Sequence, residues 1–213
     1  MTGTIWYTCT LYGDALSLPF RYDPDFVDGE KLQSVDNRNW AGEVLPREAF
    51  PAKLVEPHEE DPEYRVALKQ RLASLPDLFD SAVVVVSKRV VDVLSRFDMG
   101  QGHFYPMSLV SERGDPLPGE FFAWNFGNTK PTILPGQSAN LQENRLRSGT
   151  LYRPPMPGIE GHVAVSASAL AGPDAWVEWR MRQTLFVTGG VADALSTAGL
   201  SEAFRFAEAR IVG

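Results

Sequence analysis

The chain has 213 residues, 44% of them hydrophobic, and a formal net charge of -7. That apolar fraction supplies a core for one domain or two small ones and argues against wholesale disorder. The acidic balance is opposite to what a phosphate backbone attracts, and no apolar run approaches the length of a membrane span, so neither nucleic acid nor membrane is expected as a partner.

The charge is unevenly placed. Residues 1–80 hold fifteen acids against eight bases, whereas residues 81–213 hold twelve of each. Met1 to Thr10 lacks a basic stretch followed by an apolar one, so no signal peptide is expected. The lone Cys9 excludes an internal disulfide and a cysteine-rich zinc site, and a reducing compartment, the cytoplasm, is the simplest expectation.

Thr4 to Tyr12 is rich in β-branched and aromatic residues and reads as a strand. Residues 13–62 show no clear period and many Pro, Asp and Gly positions, which predicts mostly irregular structure. Asp61-Pro62-Glu63 then opens a helix over 62–75: Asp61 can cap it, Pro62 suits the first helical position, and Glu63 favours the positive end of the dipole. Tyr64, Leu68, Leu72 and Leu75 form its apolar stripe, and Pro76 stops it.

The most informative stretch is a strand, cap, helix, strand unit over 83–110. Val83 to Val86 is a buried-strand signal, Ser87 a cap, Val90, Val93, Leu94 and Phe97 a helical face, and His103 to Val110 a second strand. The same unit recurs over 184–212. Leu185-Phe186-Val187 is the strand, Thr188 the cap, and Val191, Ala194, Leu195 and Ala198 the helical face. Phe204 to Val212 closes the unit. Between residues 86–96 and 187–197 five of eleven positions are identical, which suggests an internal duplication. Glu120 to Phe126, Gly161 to Val165 and Ala175 to Trp179 are further strand candidates. Residues 127–161 read as a long connection, a kind of segment often functional in compact domains. The expected class is α+β, with small mixed or antiparallel sheets and few helices. An acidic N-terminal segment, 1–80, precedes a domain at 81–213.

The search for chemistry is largely negative. His58, His103 and His162 form no His-Glu-x-x-His pair and no zinc spacing with Cys9, and His58-Glu59-Glu60-Asp61 reads as a solvated acidic approach to a helix. No metal and no cofactor is expected. Gly189-Gly190 opens a helix and suits either an anion on free amides or a close-packed helix entry. Lys130, Arg145, Arg147 and Arg153 make the central segment locally basic, with Arg145 and Arg147 the candidates for an acidic or phosphate-bearing contact. Trp176 and Trp179 are three apart and cannot share one face of a strand. One belongs to the core and the other is exposed; Trp176 is the candidate interface anchor.

Three patterns in the last 130 residues resemble immunity protein family eleven of bacterial polymorphic toxin systems. The first is Val86-Ser87 with Leu94 and Phe104-Tyr105-Pro106. The second is the pair Trp179-Arg180. The third, and most specific, runs from Leu185-Phe186-Val187-Thr188 through Val191-Ala192-Asp193-Ala194-Leu195 and Ala198-Gly199-Leu200 to Phe204-Arg205-Phe206. The resemblance covers about 60% of the chain, and the stretch from Asn125 to Gly161 departs from the family pattern. It implies a cytoplasmic protein that binds and neutralises a cognate protein toxin, and it brings no catalytic residues with it.

The expected function is therefore non-catalytic neutralisation of a toxin. Glu56, Glu59, Glu60, Asp61 and Glu63 would steer a basic partner. The alternatives are a small enzyme using His103 or His162 as a base at the central segment, and a scaffold module without a toxin partner.

Overall fold

The computed structural model describes residues 3–12, 16–22, 29–58, 62–81, 83–147, 149–181 and 183–213. It is an α+β fold of two mixed sheets, a separate hairpin and short helices. The chain runs through β1 (Ile5–Thr8), β2 (Arg21–Tyr22), α1 (Gly29–Trp40), β3 (Lys53–Val55), α2 (Pro62–Leu72), β4 (Leu78–Asp80), β5 (Val84–Ser87), α3 (Lys88–Leu94) and β6 (His103–Val110). It continues through β7 (Phe121–Asn125), β8 (Gln142–Leu146), β9 (Gly149–Arg153), β10 (Ala164–Ser166), β11 (Ala175–Val177), β12 (Leu185–Thr188), α4 (Gly189–Thr197), α5 (Ser201–Phe204) and β13 (Ala207–Val212).

One sheet has the order β2-β3-β6-β7-β5-β4 and the other β10-β13-β1-β12-β11. Leaving aside the edge strand β2, which has no counterpart, the five remaining strands of the first sheet pair in the same pattern as the five of the second. β4 and β5 pair antiparallel, as β11 and β12 do. β3 and β6 pair parallel, as β10 and β13 do. The strand between the two pairs is β7 in the first sheet and β1 in the second, antiparallel to both neighbours. Registers agree residue by residue. Phe122 faces Val86 and Pro106, while Trp6 faces Val187 and Glu208.

Each half therefore begins with a strand placed in the sheet of the other half: β1 completes the second sheet and β7 the first. From its own strand the chain then crosses back. Ser17 bridges Asp80 at the edge of the first sheet, and Thr129 bridges Val177 at the edge of the second.

The two strand-helix-strand units recognised by sequence sit at the centre of this arrangement. Alternation along the strands sends Val84 and Val86, or Leu185 and Val187, to one face, and Val83 and Val85, or Phe186, to the other. The inner faces of both sheets and the apolar sides of α3 and α4 merge into one central core, with Trp124, Leu94 and Leu195 fully buried in it. Arg89 crosses from α3 to α4, pairing with Asp77 and donating to the carbonyl of Ala198 at the end of α4. That guanidinium satisfies a terminal carbonyl at the negative end of the helix dipole.

Ser87 and Thr188 occupy the N-cap positions, but neither side chain bonds its own helix. Each donates instead to an aspartate just ahead of the neighbouring strand: Ser87 to Asp77, and Thr188 to Asp174 at 2.8 Å. The backbone amides of the same residues donate to the carbonyls of the same aspartates, both at 2.9 Å. The expected caps thus serve as clasps between strand ends.

The outer faces are covered differently. On the first sheet Val35 of α1 and Leu68 and Leu72 of α2 close a second core. On the second sheet Ile133, Val163 and Met181, on mostly irregular chain, close a third. Three expectations are corrected here. The stretch 13–62 contains a twelve-residue helix, α1. Among its described side chains the buried ones are Val35 and Asn39, one of them polar, so the local pattern gives little apolar period to read. The helix expected over 62–75 ends at Leu72. The closing strand starts at Ala207, because Ser201 to Phe204 form α5 and Arg205 turns the chain with φ 45°.

Candidate functional site

The end of α1 in the first half and the chain after β11 in the second half meet at one cleft. Two buried polar anchors build a cleft there. The first holds the end of α1. Asn39 is 1% exposed and donates to the carbonyl of Trp124 at 2.9 Å. Its side-chain oxygen accepts from Asn125 Nδ2 and from the Phe126 amide, both at 2.9 Å. Buried amides with every group paired fix geometry tightly. The next residue, Trp40, lies against Phe126 with ring centroids 4.7 Å apart.

The second anchor follows β11. Glu178 is fully buried, an expensive place for a carboxylate. It is matched by Arg180 Nε at 2.8 Å and by the Ile133 amide at 2.9 Å. Arg180 also donates to the Ile133 carbonyl at 3.3 Å, and its own carbonyl accepts from the Tyr152 amide at 2.7 Å. The Glu178 and Arg180 side chains are thus both turned inward, and Trp179 between them is left 47% exposed. Gln183 completes the turn in the left-handed region at φ 47°, a conformation uncommon outside glycine.

Between these anchors lies a cleft of ≈ 410 Å³ lined by Trp40, Trp179, Leu151, Met181 and the polar Asn37 and Gln183. The hairpin β8–β9 forms its rim. The two strands are joined by Arg147 and Ser148, and β9 is tied to the body by a bridge from Tyr152 to Met181. Every residue of β8 is exposed. The segment 127–161, expected to be a long connection, thus carries this hairpin.

The candidate residues named from sequence fall in separate places. Trp176 is corrected from interface anchor to core: it is 0% exposed and stacked on Phe186 at 5.6 Å. Lys130 Nζ also lies over its ring, 3.7 Å from the centroid. Lys130 is itself buried, donates to the Ala169 carbonyl, and has its pKa lowered to about 8 by burial, opposed by the Asp174 and Asp98 carboxylates. It pins the crossing segment to the sheet. Arg145 and Arg147 are exposed on the hairpin, and Arg145 reaches Glu143 at 3.4 Å.

Glu56 lines a different cleft of ≈ 500 Å³ beside α2, with His58, Lys69, Glu112, Arg113 and Asp115. His58 pairs there with Glu112, and both are about half exposed. Charges of both signs share that cleft. Glu59, Glu60 and Asp61 lie outside the described residues, as does the side chain of Glu63.

The histidines proposed as bases do not meet. His103 is exposed at the start of β6 beside Tyr105, and His162 contacts Asn140. No cluster of metal-ligating side chains occurs among the described residues. The Gly189 amide is taken by the Thr4 carbonyl at 2.8 Å, and a Cβ there would stand 2.1 Å from Thr4 Oγ1. Of the two readings of Gly189-Gly190, the close-packed helix entry describes this geometry. Cys9 is buried, with its thiol pKa raised by that burial. Among the described residues no helix is long and apolar enough to cross a membrane.

Sequence reasoning missed Trp40 and Gln183. Trp40 ends a helix without a visible period, and a left-handed glutamine has no sequence signature. The signal within reach was the Glu-Trp-Arg triplet at 178–180, where opposite charges two apart flank an aromatic. No family model matches this chain, and no curated protein matches it in sequence.

Proposed function

We propose that this protein is a bacterial immunity protein that binds a cognate polymorphic toxin in the cytoplasm and neutralises it by occlusion, without catalysis. Two lines support the reading. One is the resemblance of the last 130 residues, Leu185 to Phe206 above all, to immunity protein family eleven. The other, which carries the choice of surface, is the half-exposed Trp179 held outward by the ion pair of the buried Glu178 with the partly buried Arg180, on a cleft shared with Trp40. Tryptophan is over-represented among residues that dominate interface energetics, and a ring fixed before binding loses little entropy on docking. The acidic N-terminal segment accelerates encounter with a basic toxin.

The test is to search the neighbouring genes for a toxin and to co-express its product with this chain. Growth is rescued by the wild-type chain. Rescue fails, or needs much higher expression, with Trp179→Ala, whose removal of an anchoring indole costs about 2 kcal/mol or more of binding. Absence of rescue by the wild-type chain overturns the function. Rescue by Trp179→Ala at wild-type level overturns the surface and leaves the function standing.

A further inference from the structure

We infer that β8 is a self-pairing edge, through which two copies of this chain join by antiparallel strand addition centred on Asn144. The inference is independent of the toxin reading.

All five residues of β8 are exposed, and β9 is its one strand neighbour among the described residues. An edge strand presents a row of backbone donors and acceptors ready for another strand, and strand addition is a recurrent recognition mode. The register of the hairpin shows which groups those are. Leu146 faces Gly149, Asn144 faces Leu151 and Gln142 faces Arg153, with Arg145 opposite Thr150 and Glu143 opposite Tyr152 between them. The pair flanking a two-residue connection is the hydrogen-bonded kind, and the kinds alternate along an antiparallel ladder. Leu146, Asn144 and Gln142 therefore turn their amides and carbonyls toward β9, whereas Glu143 and Arg145 turn theirs outward.

A second copy added about a two-fold axis at Asn144 sets Glu143 of one chain directly opposite Arg145 of the other, twice by symmetry. Both residues are of the outward kind, so each pair exchanges two backbone hydrogen bonds. The side chains are of opposite charge and close to one another in a directly opposed pair. Shifting the register by two residues sets Glu143 against Glu143, or sets Arg145 against Arg145 with Glu143 facing Arg147 beyond the strand, so only the register centred on Asn144 pairs opposite charges without a destabilising like pair. The charge pattern thus selects one register and one occupant, a second copy of this chain. Within one chain the same two side chains already meet at 3.4 Å, while Arg145 stays 84% and Glu143 50% exposed, so neither is committed to the body of the protein.

The experiment is sedimentation equilibrium on the full-length chain and on Glu143→Arg and Arg145→Glu. The wild type shows a concentration-dependent dimer. Each variant alone sets like charges opposite each other and weakens the dimer about tenfold or more. Mixed in equal amounts, the two variants restore complementary pairs and form a heterodimer of wild-type affinity. Circular dichroism checks that each variant keeps its fold, as substitutions on an exposed strand permit. A wild type that stays monomeric over the accessible concentration range overturns the inference, even if β8 variants prove to impair binding of another protein. So does a mixture no more associated than its components.

Discussion

The two halves of the chain build the same sheet and cover it differently. Both place a serine or threonine at a strand-helix junction and clasp it to an aspartate ahead of the neighbouring strand. Both donate the first helical amide, of Lys88 or Gly189, to a carbonyl just before the exchanged strand, that of Glu120 or Thr4. Outside that frame the likeness stops. The first half closes its outer face with two helices, the second with irregular chain and a projecting hairpin. The frame is shared because strand exchange makes each half a structural part of the other. A change in register of one sheet would displace a strand whose chain continues into the other sheet. The cover carries no such obligation, and the exposed Trp179 and the free edge of β8 both belong to it.

The exchange has a consequence for stability. Phe79 and Trp176 hold equivalent positions, facing Val85 and Phe186 in the two sheets, and both are fully buried. Truncating either to alanine is expected to cost about 3–5 kcal/mol. Both losses should appear in one unfolding transition, since the central core joins the sheets. Denaturant unfolding followed by tryptophan fluorescence and by circular dichroism checks this. Two separated transitions in either variant would break the equivalence, because the sheets would then melt as independent bodies.

A smaller effect separates the helix entries. Gly189→Ala forces a methyl group into Thr4 Oγ1, which also accepts from the Trp6 indole, and is expected to cost about 1–3 kcal/mol. Lys88→Ala, at the equivalent position, removes an exposed pair with Asp92 and should cost about 0.5 kcal/mol or less. Thermal melts of the two variants decide it. Equal shifts would mean that close approach at Thr4 does not distinguish the halves.

The shared frame was legible in the sequence because it is written in local patterns. Val83 to Val86 and Leu185 to Val187 are uninterrupted apolar runs, and each is followed by a capping residue and a 3.6-residue apolar period. What was not legible depends on partners far along the chain. The burial of Trp176 follows from its stacking on Phe186 across a strand pair, and its three-residue spacing from Trp179 said only that the two differ. The helix α1 is held by Asn39, whose hydrogen bonds reach residues 124–126, and no local rule foresees a buried polar anchor there. Ser87 and Thr188 were recognised by type and position, but local rules do not foresee an aspartate ten or fourteen residues upstream competing for the hydroxyl.

The smallest expected difference lies at the strand ends and depends on pH. Asp80 ends β4 where Val177 ends β11, and the crossing segments bridge these two residues in the same way. Leu18 donates to the Asp80 carbonyl at 2.9 Å, and Lys130 to that of Val177 at 3.3 Å. Val177 is fully buried in the central core, whereas Asp80 brings to the same place a carboxyl with one buried oxygen that has no hydrogen-bond partner among the described residues. Burial raises its pKa above the ordinary 3.8, and the Ser81 amide offsets part of that rise. A carboxyl whose folded pKa exceeds its unfolded one binds protons more tightly in the native state, so stability falls as pH rises through the folded pKa. Asp80→Asn keeps the shape and removes the charge. It should therefore be more stable than the wild type near neutral pH, and the gap should close as pH is lowered toward the ordinary carboxyl range of about 4. Urea midpoints of both proteins across that range measure the gap. A gap that stays constant with pH would show that the Asp80 charge costs the first half nothing, and that the two strand ends are equivalent after all.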